Sequence, residues 1–418
     1  SGSFMCAASH VERHAKLLDS VLGPCSGAAE GEITSSLVGP FVGFHHQALL
    51  IACFWPAGRG NVGDGANVGS NHTGKAPDQE IWPGEGVFFG LAASIKFPSN
   101  FAKAPYTLVA TGVVALPQKV EMPFSLINAP GRAWPDGVPI SPALNEIMPG
   151  WILSDNLYMV LRGETKFLQR GARARGLGAR EGRVDYEHEA FRPSTVRMMA
   201  EARARLVAAA GKGVPVGGGG QAVYTSKQVP GLGKNYMLEK ARLKGVQAYA
   251  NFIRFYCVRA MWRALQAGED ARSVLSAGPR QGAGGAAGYG AFDATSTIVR
   301  AETGPGGGGG GGGGGRARSR VVEEWYAFAL PLLREDAGPT YTVADGLRAY
   351  VDLQRRFAAS VLASKQKDDK RGPRVIDGYA DAHGAAERDD KVVRKALADA
   401  EEQARAVARY LEQARHRM

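Results

Sequence analysis

Residues 61–72 read NVGDGANVGSNH, a stretch in which a six-residue unit beginning Asn-Val-Gly occurs twice. A hydrophobic residue every six positions is typical of a left-handed parallel β-helix, whose coil has three flat faces of about six residues with a narrow apolar interior. Short strands in an antiparallel sandwich are the alternative, and the poor apolar–polar alternation disfavours them. The period recurs downstream, at Phe89, Ile95 and Phe101 and, in a separate series, at Leu108, Val114, Val120 and Leu126.

The pattern changes along the chain and predicts three segments. The repeats place the left-handed β-helix in residues 1–127, and the prolines that follow favour an extended strap and an Arg/Gly-rich loop over 128–192. Apolar spacing becomes helical from Ser194, so residues 193–418 are expected to form an α-helical domain, with a disordered Gly-rich insertion at 277–315. We expect this domain to pack against the β-helix or to cap it, since a bare coil end is an open sheet edge.

Composition limits the class of protein. The 418 residues carry a formal net charge of +11, which is compatible with an anionic partner such as coenzyme A. Nucleic acid is disfavoured because the basic run over 162–183 lies among glycines with few aromatic residues. Four cysteines without a CxxC motif favour a reducing compartment, the cytoplasm or an organelle stroma. No apolar stretch is long enough to span a membrane.

Side chains suited to catalysis are concentrated in residues 39–90. The first hypothesis is acyl transfer from acetyl-CoA or another acyl-CoA, with a histidine as general base on a polar acceptor. The catalytic candidates are His72 with Asp78 or Glu80, and the pair His45 and His46. The candidates for binding the coenzyme A donor are Arg59, Asn71, Lys75 and Gln79.

Two other interpretations of the same residues stay open. Three histidines with carboxylates could hold zinc in a hydratase or hydrolase of the γ-carbonic anhydrase type, although the spacing lacks a close pair of histidines on successive coils. The polar residues could also form turn networks and a subunit interface in a non-catalytic scaffold, because Asn, Asp and His often bond to the backbone at corners. A further segment, GLGKN over 231–235, precedes a helix and could hold a phosphate, but a plain helix-start loop is favoured.

Four segments carry a resemblance to a known family: GPFVGFHHQALLIACFWPAGRGNVGDGANVGSNHTGKAPDQEIWPGEGVFFGL (39–91), IKFPSNF (95–101), ALPQKVEMPFSLI (115–127) and GLGKNYM (231–237). They resemble an uncharacterised family of bacterial and algal hexapeptide-repeat proteins. The resemblance implies a left-handed β-helix related to the acyltransferase domain of N-acetylglucosamine-1-phosphate uridylyltransferases, and a sugar-nucleotide or similar acceptor. Since β-helices of this type usually trimerise, a homotrimer acting on a small-molecule substrate is expected.

Overall fold

The N-terminal part of the chain is a parallel β-helix, and a helical region with a small sheet follows it in this computed structural model. The β-helix followed by a helical region, which the repeats predict, is confirmed. The structure describes residues 2–69, 80–131, 140–176, 188–216, 221–271, 273–275, 320–337 and 341–416.

Each coil contributes short strands to three walls, A, B and C, in which residues one coil apart lie side by side, as Lys16 and Glu32 do. Wall A contains β1 Phe4–Met5, β4 Val21–Leu22, β7 Leu37–Val38, β10 Phe54–Trp55, β13 Ile81–Trp82, β16 Ser99–Asn100 and β19 Gln118–Lys119. Wall B contains β2 His10–Glu12, β5 Gly27–Ala29, β8 Gly43–Phe44, β11 Asn61–Val62, β14 Phe88–Phe89, β17 Leu108–Val109 and β20 Leu126–Asn128. Wall C contains β3 Lys16–Leu18, β6 Glu32–Thr34, β9 Leu49–Ile51, β12 Asn67–Val68, β15 Ser94–Ile95 and β18 Val114–Ala115.

The interior of the β-helix is a column of stacked apolar side chains. Burying one large aliphatic or aromatic side chain stabilises the fold by about 1.5–3 kcal/mol, so the column is the main source of stability for the coils. The large rings fit because glycines face them: a Cβ on Gly60 would lie 2.0 Å from Trp55, and one on Gly31 would lie 2.2 Å from Phe44. The inward residues are Ala28, Phe44, Val62, Phe89, Val109 and Ile127 on wall B and Ile33, Leu50, Val68, Ile95 and Ala115 on wall C.

The series Leu108, Val114, Val120 and Leu126 has the predicted six-residue period, but three of its four residues are not the ones that point into the β-helix. Val62, Phe89 and Phe101 point inward as expected, and so does Val120. At Leu108, Val114 and Leu126 the next residue points inward instead, so that Val114 is 51% exposed while its neighbour Ala115 is buried. Successive residues of a strand face opposite sides, and both residues of these dipeptides are apolar, so the period alone does not decide which one is buried.

The corner between walls A and B is built from residues with left-handed backbone conformations. Phe41, Arg59, Tyr106 and Phe124 have φ between 54° and 60°, where a non-glycine residue is strained by roughly 1–2 kcal/mol. Each donates its backbone N–H to a carbonyl of the preceding coil, at 2.7–3.0 Å. The strain is therefore offset by hydrogen bonds, and the left-handed turn directs four large side chains away from the β-helix.

A mixed sheet closes the C-terminal end of the β-helix. Strand β21 (Asn145–Met148) pairs antiparallel with β20, and β24 (Asn235–Leu238) pairs with β21. The sheet ends with β23 (Gln221–Tyr224) and β22 (Val214–Val216). Strands β22, β23 and β24 lie within residues 193–418, for which the sequence predicts an α-helical domain, and β21 lies within the predicted strap. The short apolar runs of β22 and β23 are separated by glycines, a pattern that favours a loop.

The GLGKN segment belongs to this end of the molecule. Gln118 Oε1 accepts hydrogen bonds from the backbone N–H of Lys234 at 3.1 Å and from Asn235 Nδ2 at 2.8 Å, and Glu121 N donates to the carbonyl of Gly231 at 2.8 Å. The segment therefore holds the last coil against the helical region.

The helical region is organised around one long buried helix, α4 (Glu239–Gln266). Phe252 of α4 stacks on Phe357 with 4.0 Å between ring centroids, and Trp262 Nε1 donates to Gln403 Oε1 at 3.0 Å. The remaining helices are α1 Trp151–Asp155, α2 Leu157–Gly176, α3 Pro193–Ala208, a π-helical turn Trp325–Ala329 with α5 Leu330–Ala337, α6 Val343–Arg371 with a 3-10 turn Gly372–Arg374, α7 Tyr379–His383, α8 Ala386–Asp389 and α9 Lys391–His416. No described helix combines the length and the apolarity needed to cross a membrane.

The segment expected to be an extended strap and a loop differs from the prediction. Helices α1 and α2 occupy most of its described part, and α2 runs through Gly171 of the Gly/Arg-rich stretch. Apolar residues such as Leu157 and Val160 are buried there, so tertiary packing outweighs the low helix propensity of glycine. The predicted disordered insertion at 277–315 lies outside the described residues.

The packing of Trp55 gives a test of the column. Replacing Gly60 by Ala places a methyl group 2.0 Å from Trp55 and 2.3 Å from the Val87 carbonyl, so we expect a loss of roughly 1–3 kcal/mol in the free energy of unfolding. The measurement is the urea midpoint by circular dichroism. Gly131→Ala is the control, because the nearest atom to its Cβ is 3.8 Å away. Equal midpoints in the two variants would contradict the packing argument.

Candidate functional site

The structure places four of the nine predicted site residues. His45, His46, Arg59 and Glu80 are described, and each has a different bonding partner. The other five lie outside the described residues: Asn71, His72, Lys75, Asp78 and Gln79. The pairing of His72 with Asp78 or Glu80 therefore stays a prediction.

His46 lies at the corner between walls B and C and is bonded to a carboxylate. Its Nδ1 forms a short hydrogen bond with Oε2 of Glu30, which lies at the same corner of the preceding coil. The two side chains are 43% and 42% exposed. Among the described residues, no group bonds to Nε2 of His46. The pair thus consists of an imidazole held by a carboxylate, with both side chains partly exposed.

Glu30 is held in place by the backbone as well as by its charge. It adopts φ 54° at the corner, and its carbonyl accepts the N–H of Gln47 at 2.5 Å. The hydrogen bond with His46 is the main cause that lowers the pKa of Glu30, and the nearby charge of Arg13 lowers it further. Glu30 is consequently ionised at neutral pH and can orient the ring of His46.

His45 has a different partner on wall B. Its Nε2 lies 2.8 Å from Oδ1 of Asn61, one coil further on. An amide oxygen only accepts, so this bond puts the proton on Nε2 and leaves Nδ1 as the acceptor. Gly43 makes the contact possible, because a Cβ there would lie 2.6 Å from Asn61 Oδ1. The two adjacent histidines are therefore fixed by separate neighbours.

Glu80 is on another side of the coil, at the start of β13. Its Oε2 accepts the indole N–H of Trp82 at 2.5 Å, and the Trp82 ring packs on Phe54 with 4.9 Å between centroids. The structure does not bring Glu80 to His45 or His46, which lie on wall B and at its corner with wall C.

Arg59 lies in a buried ion cluster between the β-helix and the helical region. Its Nη1 donates to Glu85 Oε1 at 2.9 Å, and Tyr106 OH donates to the same oxygen at 2.8 Å. Arg192, just before α3, bonds to both carboxylate oxygens. Arg59 is 8% exposed, and its guanidinium is already paired with Glu85. It is therefore not free to meet a coenzyme A phosphate.

The charges of this cluster balance one another across the two parts of the chain. Burial alone would raise the pKa of Glu85, but the charges of Arg192 and Arg59 outweigh it and lower the pKa. Burial and the charge of Glu85 raise the pKa of Tyr106. Sequence reasoning missed Arg192, since a single arginine before a proline, 107 positions from Glu85, carries no local signal.

Aromatic packing surrounds the cluster and extends the contact. Phe124 stacks on Tyr106 and on Phe191, with centroid distances of 5.0 and 5.6 Å. Phe41 packs on Phe167 of α2 at 5.3 Å. A shallow cleft of about 530 Å³, including its open mouth, lies beside the cluster between the Phe54–Trp82 pair and the start of α3.

The described residues contain no group of three or more His, Cys, Asp or Glu side chains placed to hold a metal ion. The zinc hypothesis relied on His72 together with the His45–His46 pair, and His72 is outside the described residues. The hypothesis of a metal-dependent hydratase or hydrolase therefore stays untested.

Comparison with known proteins gives one distant similarity. No known family's sequence profile matches the chain. An uncharacterized protein of Treponema pallidum (strain Nichols) is 29% identical over 142 residues, which cover 34% of this chain. The match spans 18% of the length of that protein. The similarity carries no activity, since that protein is itself described only as uncharacterized.

The ion cluster gives a test of how the two parts are joined. Replacing Glu85 by Gln leaves two buried guanidinium groups without a counter-charge, so we expect a loss of about 3–5 kcal/mol in the free energy of unfolding at neutral pH. The pKa of Glu85 is lowered in the folded state, so its contribution is present above its ordinary pKa of 4.5 and is lost as pH falls through the folded value.

The difference between wild type and Glu85→Gln should therefore shrink on acidification below about pH 4.5. Urea unfolding at a series of pH values measures it. Glu80→Gln is the matched control, because that carboxylate is exposed and its bond from Trp82 can be kept by an amide oxygen. A constant difference between wild type and Glu85→Gln at every pH would contradict the assignment.

Proposed function

We propose that the protein transfers an acyl group from a coenzyme A thioester to the hydroxyl or amine of a polar acceptor such as a sugar nucleotide. His46 is the general base in this proposal, and Glu30 is its positioning residue. The observation that carries the proposal is the His46–Glu30 hydrogen bond on an exposed corner of a parallel β-helix.

The chemistry needs a base that works near neutral pH. An imidazole whose Nδ1–H is bonded to a carboxylate keeps Nε2 as the acceptor, and the ionised partner stabilises the imidazolium formed when Nε2 takes a proton. Nε2 of His46 would remove the proton of the acceptor as its oxygen or nitrogen attacks the thioester carbonyl. The carbon–sulfur bond then breaks, and the imidazolium of His46 gives its proton to the departing coenzyme A thiolate.

The same pair is less suited to other roles. A structural ion pair on this surface would contribute at most about 1 kcal/mol, since both side chains are more than a third exposed. A metal site would need further ligands beside His46, and no described residue other than Glu30 bonds to its ring. A non-catalytic scaffold remains the alternative, and it predicts no binding of an acyl donor.

The first experiment is calorimetric titration of the purified chain with acetyl-CoA, followed by assays of thioester consumption with amino-sugar nucleotides and hexosamine phosphates as acceptors. We expect micromolar binding and acceptor-dependent release of coenzyme A. His46→Ala should retain the binding of acetyl-CoA and lose about 10²–10⁴-fold in kcat, as is typical for a general base. Glu30→Gln should lose less, because the imidazole remains.

Two further variants make the result decisive. His10→Ala is the control, since His10 is exposed on the same wall and has no carboxylate partner among the described residues. His72→Ala tests the candidate that the sequence favoured. Loss of turnover in His72→Ala but not in His46→Ala would overturn the assignment of the base and leave acyl transfer standing. Absence of acetyl-CoA binding would overturn acyl transfer and favour a scaffold.

A further inference from the structure

The cleft beside the buried ion cluster has a size and a lining that suit a small ligand. Its volume of about 530 Å³, open mouth included, lies within the range of about 300–1,000 Å³ that is usual for small-molecule sites. One side of it belongs to the β-helix and the other to α3. Neither His46 nor Glu30 lines it, so the cleft is separate from the proposed catalytic corner.

The β-helix side of the cleft is apolar and rich in rings. Phe54 and Trp82 pack on each other with 4.9 Å between their ring centroids, and both are half-buried. The indole N–H of Trp82 is bonded to Glu80, so the ring offers the cleft an apolar surface and no donor. Aromatic side chains of this kind stack on any nucleobase, because every base has a π-face. Three prolines from successive coils continue the surface: Pro56, Pro83 and Pro105.

The other part of the lining is positively charged. Glu85 and Arg192 both line the cleft, and the carboxylate of Glu85 is shared by the guanidinium groups of Arg192 and Arg59. The three side chains together carry one net positive charge, and Tyr106 beside them acts only as a neutral donor to Glu85. A buried charge without a counter-charge is costly, so this part of the cleft favours an anion.

Hydrogen-bond donors remain for such an anion. A guanidinium has five N–H donors, and Arg192 uses three of them on the two oxygens of Glu85 and on the carbonyl of Glu189. Ser194, which also lines the cleft, has no partner among the described residues for its hydroxyl or its backbone N–H. Hydrogen bonds from such groups to an anionic oxygen are about twice as strong as those between neutral groups.

We propose that this cleft binds a nucleotide, with the base against the rings of Phe54 and Trp82 and the phosphate beside Arg192 and Ser194. A nucleotide joins a flat base to an anion, and these are the two chemistries that the lining accommodates. A nucleoside lacks the anion, and a sugar phosphate lacks the base. The proposal does not depend on acyl transfer, because it uses neither His46 nor its carboxylate partner.

A series of ligands tests the two contacts. The purified chain is titrated by calorimetry with AMP, UMP, adenosine and ribose 5-phosphate. We expect both nucleotides to bind, and adenosine and ribose 5-phosphate to bind at least about tenfold more weakly than AMP, because each lacks one of the two contacts. Adenosine or ribose 5-phosphate binding as tightly as AMP would overturn the proposal, and so would the absence of binding by both nucleotides.

Two variants test the two parts of the lining separately. Ser194→Asp puts a negative charge beside Arg192, so AMP should bind about tenfold more weakly or worse, whereas adenosine should bind as it does to wild type. An acidic residue is tolerated in the first turn of a helix, and Ala344→Asp in the first turn of α6 is the matched control. Trp82→Leu should weaken AMP and adenosine alike, by about fivefold or more.

Phe88→Leu, on the outer surface of wall B, is the control for the loss of an aromatic ring. Urea midpoints confirm that each variant is folded. AMP binding that is unchanged in both Ser194→Asp and Trp82→Leu would overturn the proposal.

A methyl signal locates the nucleotide directly. Met198 of α3 lines the cleft, whereas Met261 is buried in α4 and does not. In protein labelled isotopically at the methionine methyl groups, AMP should shift the nuclear magnetic resonance signal of Met198 and leave that of Met261 in place. Met198→Leu and Met261→Leu assign the two signals. AMP binding without a shift of Met198 would overturn the proposal.

His46→Ala separates this site from the proposed catalytic base. The variant should bind AMP as wild type does, whether or not the chain transfers acyl groups. Weaker AMP binding in His46→Ala would place the nucleotide at the corner between walls B and C and overturn the assignment to the cleft. Loss of turnover with AMP binding retained would leave both proposals standing.

Discussion

The structure depends on a constraint of the β-helix itself: a coil buries its interior and satisfies its backbone only when another coil or a cap lies on each side of it. Val62 and Phe89 are completely buried because coils lie on both sides, whereas Val11 in the first coil is not. The chain supplies the cap at one end from residues that come much later in the sequence. The strand Asn235–Leu238 pairs with Asn145–Met148, which pairs with the last coil, and Asn235 also bonds directly to Gln118 of that coil, so the helical region and the β-helix are parts of one folded unit.

The corners determine how the rest of the chain attaches. Side chains on the walls alternate between interior and surface, whereas a left-handed corner residue projects outward. At the corner between walls A and B these residues are large, and Arg59 and Tyr106 converge there on Glu85. A buried carboxylate requires this pairing, and the second arginine comes from the helical region. The docking of the helices is therefore specified by charge as well as by apolar contact.

The sequence predicts the coil well and its contacts poorly. The six-residue spacing of Val62 and Val68, repeated in two further series, favours a β-helix over an antiparallel sandwich. It does not fix the phase where two apolar residues are adjacent, as at Val114 and Ala115. The His46–Glu30 pair joins equivalent corners of successive coils, so its prediction needs the coil length, which the separate phases of the repeats hide. Arg192 and Glu85 are brought together only by tertiary packing, and no periodicity relates them.

Of the two corners described, one is covered by helices and the other is exposed. This difference supports the proposal that the catalytic base lies at the corner between walls B and C. The corner between walls A and B is covered by helices, and its ionisable groups are paired with one another, so they hold the structure together. At the other corner the helices leave Glu30 and His46 exposed, and the backbone of successive coils fixes their separation without any help from the helical region. In the proposed reaction, a substrate that approaches this corner would meet a base already oriented by the β-helix, which is the arrangement that proton transfer requires.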